Sequence, residues 1–142
     1  MAMKPFCGYN FGDYWQHWLS FADKSNKLPK IFHVNWFRRD KEGKFMWPGF
    51  GDNLRVLRWI LDRANGRCTA KETALGFIPN PGDLDTQGLS MNPQTLSDLC
   101  SIKNSDWISE WDEVGKYLAS YGDHLPPTFT SLHSKITAEL ES

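Results

Sequence analysis

The chain has 142 residues, a formal net charge of −1, 40% hydrophobic and 14% aromatic residues, and three cysteines. A chain of this size can bury one core, so a multidomain enzyme is excluded and residues 1–142 read as a single compact segment. No stretch approaches the roughly 18 apolar residues of a membrane span and the Met1–Phe6 start lacks a signal-peptide apolar stretch. With Cys7, Cys68 and Cys100 far apart, the expectation is a soluble protein of a reducing compartment.

The small net charge hides an asymmetry. Residues 1–75 carry 13 Lys+Arg against 7 Asp+Glu, residues 76–142 carry 3 against 10, and fourteen of the twenty aromatics fall in residues 1–60. A basic aromatic part is joined to an acidic part that reads as mainly helical. In chain order, Phe11, Tyr14, Trp15, Trp18, Leu19 and Ala22 recur at spacings of three and four, which predicts a helix over 11–22 with an aromatic face. After the breaker Leu28-Pro29, alternation through Lys30–Phe37 predicts a strand. The charged, glycine-containing Arg38–Lys44 and the run Phe45-Met46-Trp47 then complete an aromatic hairpin. Pro48-Gly49-Phe50-Gly51 predicts a turn into Asp52-Asn53, either of which can cap a helix over 54–64 through a side-chain oxygen, with Gly66 as its stop.

Beyond residue 75, Gly76–Pro79 suggests one short strand, and Asn92-Pro93 opens a helix with Leu96, Leu99 and Ile102 inward. Trp107, Trp111, Val114, Leu118 and Tyr121 make the clearest helical stripe, ended by Gly122, and Pro126-Pro127 starts a last helix carrying Phe129, Leu132, Ile136 and Leu140. The expected fold class is mixed α+β, a short aromatic β-hairpin with about five helices.

The sequence holds no G-x-x-x-x-G-K-[ST] phosphate loop, no G-x-G-x-x-G turn and no H-E-x-x-H pair, and its four histidines lack metal-ligand spacing. The informative cluster is Asn35-Trp36-Phe37, Phe45-Met46-Trp47 and Phe50-Gly51-Asp52-Asn53, nineteen residues end to end. Two readings of it stand side by side. The aromatics can fill a core, or they can offer flat faces to a nucleobase while an Asp or Asn beside exposed amides reads the base edge. Phe50 is the least core-like member because glycines bracket it on a bend. The basic side chains Lys27, Lys30, Arg38, Arg39, Lys41 and Lys44 form either a solvated face or a phosphate-attracting field.

The stretch Lys27-Leu-Pro-Lys-Ile-Phe-His-Val-Asn-Trp-Phe-Arg-Arg-Asp, with Glu42-Gly-Lys-Phe-Met-Trp-Pro-Gly-Phe-Gly-Asp-Asn53, resembles GTP-dependent phosphoenolpyruvate carboxykinase. Ala2–Tyr14, the His17-Trp-Leu helix, Arg55–Ile60 and Gly76–Pro79 are also similar to that family. The resemblance implies a guanine site in which Phe37, Phe45 and Phe50 stack on the base with Trp36 nearby, while Gly51, Asp52 and Asn53 complete the pocket. Asp52 stands where relatives often have Glu. The resemblance also implies GTP and GDP as substrate and product, and Mn²⁺ or Mg²⁺ in the larger enzyme with ligands outside this segment. It further implies no catalytic residue among these 142, a cytoplasmic or mitochondrial-matrix setting, and the rest of a carboxykinase chain as partner. The alternatives are a small single-stranded RNA-binding module using the basic half, and an inactive folded fragment.

Overall fold

A computed structural model describes residues 4–142, so the Met1–Met3 start of the family-like opening lies outside the described residues. The described chain holds five α-helices and one two-stranded antiparallel sheet, a mixed α and β architecture. Packing divides it into two units, residues 1–29 with 103–142, and residues 30–102.

In the first unit, α1 spans Phe11–Leu19, three residues short of the expected end. Asn10 caps it, its side-chain oxygen accepting from the Gly12 N–H at 2.8 Å, which satisfies one of the free amides at the helix start. The aromatic stripe packs as its spacing implies. Trp15 meets Phe11 with ring centroids 5.3 Å apart, Tyr121 at 4.8 Å and Phe129 at 4.9 Å. Tyr121 follows α4 (Asn104–Ala119), and Phe129 lies on α5 (Pro127–Glu141). Gly12 is needed for close approach, since a Cβ there would run into the His124 carbonyl. The helices α4 and α5 clasp through Trp111 and His133, whose rings stack 5.3 Å apart at 8°. The Trp111 indole N–H donates to the His133 carbonyl at 3.1 Å, and His133 Nε2 lies 2.9 Å from the Trp111 carbonyl.

In the second unit, α2 spans Asn53–Ala64 and ends ahead of Gly66 as expected. The core gathers Trp59, Leu84 and Cys100, with Phe32, Ile60, Cys68, Ala70 and Leu96 against them. Burial pushes the Cys100 thiol up to about 11, with the Asp83 carboxylate adding to the shift. The helix α3 spans Pro93–Leu99, with Asn92 as its cap and Pro93 at its first position, as the Asn-Pro pair predicts.

The strands are not where alternation put them. They are β1 (Lys71–Thr73) and β2 (Gly76–Ile78), paired Lys71 to Ile78, Glu72 to Phe77 and Thr73 to Gly76. Gly76–Ile78 was expected, but its partner was not. Lys30–Phe37 is irregular, and the expected aromatic hairpin reduces to a reversal at Arg38–Met46 with a single antiparallel bridge, Arg39 to Phe45. The physical reason lies at both ends of the segment. Asn35 Oδ1 accepts from the Phe37 N–H at 2.9 Å, bending the chain where a strand would have to continue. Past the bend, the Arg38 guanidinium donates to the Asp98 carbonyl at 2.7 Å, anchoring the reversal to the end of α3.

Candidate nucleobase site

The Arg38–Met46 reversal is built around Asp40. Its Oδ1 accepts from the amides of Glu42 at 3.1 Å and Lys44 at 2.8 Å, while the Asp40 N–H donates to the Lys44 carbonyl at 2.9 Å. This turn brings Phe45 back to Phe37, ring centroids 5.9 Å apart and tilted by 59°. Arg39 covers Phe45, its guanidinium carbon 4.1 Å from the ring centre, and donates to the Gly43 carbonyl at 2.6 Å. A guanidinium over an aromatic face at this distance is an attractive arrangement that holds the ring in place.

The chain then dives at Trp47, 7% exposed, and re-emerges at Pro48-Gly49. Gly49 has φ of 120°, a conformation that strains any residue with a Cβ, so the bend that throws Phe50 outward depends on glycine. Phe50–Asp52 form one 3-10 turn leading into α2. Neither expected cap operates through its side chain. Asp52 turns its carboxylate to Arg55 at 3.0 Å, and Arg55 also donates to the Asp85 carbonyl at 2.9 Å. Asn53 accepts the Trp47 indole N–H on Oδ1 at 3.0 Å. Asp52 Oδ1 and Asn53 Oδ1 thus accept from the Arg55 guanidinium and the Trp47 indole rather than from the first amides of α2.

The three phenylalanines proposed as base-stacking groups are solvent-facing: Phe37 is 72% exposed, Phe45 46% and Phe50 93%. Of the sequence-proposed residues, Phe37 and Phe45 are brought into contact, while Phe50, Gly51, Asp52 and Asn53 follow one another through the 3-10 turn into α2. Phe50 touches no other aromatic ring among the described residues, and Trp36 is half-buried beside the Asn35 bend. Sequence reasoning missed Arg39 as the cover of Phe45, and Trp47 as the partner of Asn53. The second had a readable signal, a donor-only indole placed six residues before a carboxamide across a Pro-Gly bend.

The basic side chains are largely engaged within the unit. Besides Arg38, Arg39 and Arg55, Lys30 donates to the Arg63 and Ala64 carbonyls at the end of α2, Arg58 pairs with Asp62 at 2.8 Å, and Arg63 lies over Phe77 at 5.1 Å. Residues 30–102 hold 10 Lys+Arg against 8 Asp+Glu, because Asp83, Asp85 and Asp98 offset most of the positive excess that residues 30–75 bring to this unit. Among the described residues no three His, Cys, Asp or Glu side chains gather closely enough to hold a cation. No helix among them is long and apolar enough to cross a membrane.

The pattern of the phosphoenolpyruvate carboxykinase C-terminal P-loop domain matches residues 1–139. The chain is 49% identical over 142 residues to phosphoenolpyruvate carboxykinase [GTP] of Chlamydia caviae, covering 99% of this chain and 24% of that relative. It is 48% identical over 128 residues to the enzyme of that name from Neocallimastix frontalis (88% and 21%), and 44% identical over 133 residues to that of Paenarthrobacter aurescens (92% and 22%). The chain thus spans about a quarter of the length of the curated relatives it matches. This chain belongs to the GTP-dependent phosphoenolpyruvate carboxykinase family, matching it within the C-terminal P-loop domain.

Proposed function

We propose that this chain is the guanine-holding segment of a GTP-dependent phosphoenolpyruvate carboxykinase. The observation that carries the reading is the solvent exposure of Phe37, Phe45 and Phe50, the last of these lying three residues ahead of Asn53 in the turn that opens α2. Large aromatics left in water by a folded unit supply flat faces that a base can cover, with stacking contributing about 1–3 kcal/mol per base contact. Gly51 allows close approach of the backbone, Asp52 with Arg55 stiffens the helix start, and Trp36 borders the group.

The parent reaction is oxaloacetate with GTP giving phosphoenolpyruvate, GDP and CO₂, a step of gluconeogenesis. This segment contributes nucleotide selection, and the chemistry belongs to the rest of the enzyme, as do Mn²⁺ or Mg²⁺ and their ligands. The 142 residues alone are catalytically inactive in this reading. The setting is the cytoplasm or the mitochondrial matrix, in keeping with three free cysteines among the described residues. A partner follows from the surface. Leu54, Leu57 and Leu61 lie exposed at spacings of three and four on α2, a stripe suited to the remainder of a longer chain. The RNA-binding alternative would have to draw Lys30, Arg38 and Arg39 away from bonds they already make within the unit.

Two stacking contacts give roughly 2–6 kcal/mol before ordering costs, and about 4 kcal/mol corresponds to a dissociation constant of only about 1 mM. Saturation-transfer NMR with GTP, ATP and guanosine in parallel reads affinities of that order. A signal on guanine protons from GTP and guanosine, with none from ATP, is the expected result. Equal signals from all three refute guanine selection by this segment.

A further inference from the structure

The bond between Trp47 and Asn53 has a consequence for which base the site accepts. We infer that Trp47 is a positioning residue for base selection: by donating its indole N–H to Asn53 Oδ1 it fixes the orientation of the carboxamide that faces the base, and so favours guanine over adenine. This rests on the reading of Phe37 to Asn53 as a base site and adds to it the device that sets its selectivity.

A carboxamide presents one acceptor and one donor side by side, and its two ends have nearly the same shape. Guanine presents O6 and N1–H along its pairing edge, an acceptor then a donor. Adenine presents N6–H and N1, the reverse order. An asparagine free to turn about its last side-chain bond therefore pairs with either base and selects neither. Stacking on phenylalanine does not repair this, because every purine has a flat face.

The indole removes that freedom. Its N–H can only donate, so it must face Oδ1; turning the carboxamide over would set the Nδ2 donors against it. Trp47 is buried, which denies the orphaned N–H an easy replacement in water. An unpaired buried donor weights the two orientations by roughly 5- to 150-fold. The Asn53 backbone is held as well, its N–H donating to the Phe50 carbonyl at the start of α2. Asn53 Nδ2 donates to no protein group among the described residues, so it and the second lone pair of Oδ1 remain for a ligand in a fixed order.

The test compares GDP and ADP binding by saturation-transfer NMR in the unmodified chain, in Trp47→Phe, in Asn53→Ala and in the double variant. The expected result is a GDP preference in the unmodified chain that falls by roughly 5- to 150-fold in Trp47→Phe. The change appears as a gain in ADP affinity, because GDP affinity falls by no more than about twofold when both carboxamide orientations are open, and Trp47→Phe adds nothing once Asn53→Ala is present. An undiminished GDP preference in a folded Trp47→Phe overturns the positioning role and leaves the base site standing. Absence of guanine binding by the unmodified chain overturns the site and this inference together. Should Trp47→Phe not fold, ¹⁵N spectra of the unmodified chain decide. A Trp47 indole proton exchanging slowly with solvent, and an Asn53 amide pair that shifts when GDP is added, support the inference. An indole proton exchanging at the solvent rate refutes it.

Discussion

Phe50 separates the two readings of the aromatic cluster because folding and binding would use it in opposite ways. With 93% of the residue exposed, only a small part of its surface is covered by the protein. A phenylalanine can bury about 150–250 Å², so the covered part is roughly 15 Å² and its contribution to stability about 0.4 kcal/mol. Phe50→Ala should therefore leave the melting temperature within a degree or two. A base stacked on the same ring gains about 1–3 kcal/mol, so the substitution should weaken GDP binding by roughly 5- to 150-fold. The ring is indifferent to base identity, so GDP and ADP should weaken together while their ratio holds.

The assay pairs nucleotide titration by saturation-transfer NMR with thermal melts followed by near-UV and far-UV circular dichroism. Unchanged binding with a melt lowered by several degrees refutes the reasoning, because Phe50 would then be a packing residue. Phe45→Ala serves as the contrast. Phe45 is less exposed and holds both Phe37 and the Arg39 guanidinium, so its loss should weaken binding and loosen the reversal as well.

Three further outcomes follow from the same structure. Gly12→Ala drives a Cβ into the His124 carbonyl and should destabilise the first unit by about 1–3 kcal/mol, read as an earlier melt of the Trp15 near-UV signal, whereas Gly8→Ala, with open space around it, should not. Asn92→Ala removes the oxygen that accepts from the Gln94 N–H at 2.8 Å and should cost about 1 kcal/mol, with hydrogen exchange rising first in α3. Cys100 should resist alkylation at pH 8 while half-buried Cys7 and Cys68 react, as counted by mass spectrometry. Its folded-state pKa of about 11 is raised from 9.0, so the neutral thiol's contribution to stability is fully present below pH 9 and is lost as pH rises toward 11. That alkaline loss should vanish in Cys100→Ala.

Helices were legible because their signals are local. Asn92-Pro93, Gly66 and the Trp107 to Tyr121 stripe each state a start, a stop or a face within a few residues, and α2, α3 and α4 follow them closely. Strand pairing was legible only in part. Lys30–Phe37 alternates, but alternation describes what a strand would bury, not whether a neighbour exists to pair with it. The Asn35 side chain and the Arg38 bond to Asp98, sixty positions away in sequence, decide against one. Lys71–Thr73 had no pattern of its own to announce it. Its residues are polar, and it becomes a strand because Gly76–Ile78 folds back on it. The candidate site divides along the same line. Residue types and spacing single out the phenylalanines and Asn53, but which neighbour holds each of them is a three-dimensional fact, and so Arg39 and Trp47 were not read as its supports.

The arrangement also bears on why base selection and catalysis can be carried by different stretches of one enzyme. Recognition of a base needs flat faces and a few oriented donors and acceptors, which a short reversal and one helix start can supply. Phosphoryl transfer needs charge concentrated around the phosphates, and here Arg38 and Arg39 donate to the Asp98 and Gly43 carbonyls, Arg55 and Arg58 to the Asp52 and Asp62 carboxylates, and Lys30 to the end of α2. A segment built this way can prefer one base while holding the nucleotide only weakly, and the greater part of the affinity must come from groups that grip the triphosphate. Selectivity carried by hydrogen bonds to the base edge survives that separation, because it is a difference between two bases and does not depend on how tightly the phosphates are held. The Trp47 to Asn53 bond is suited to such a role: it adds no contact to the nucleotide, and acts only by removing an orientation in which the wrong base would fit.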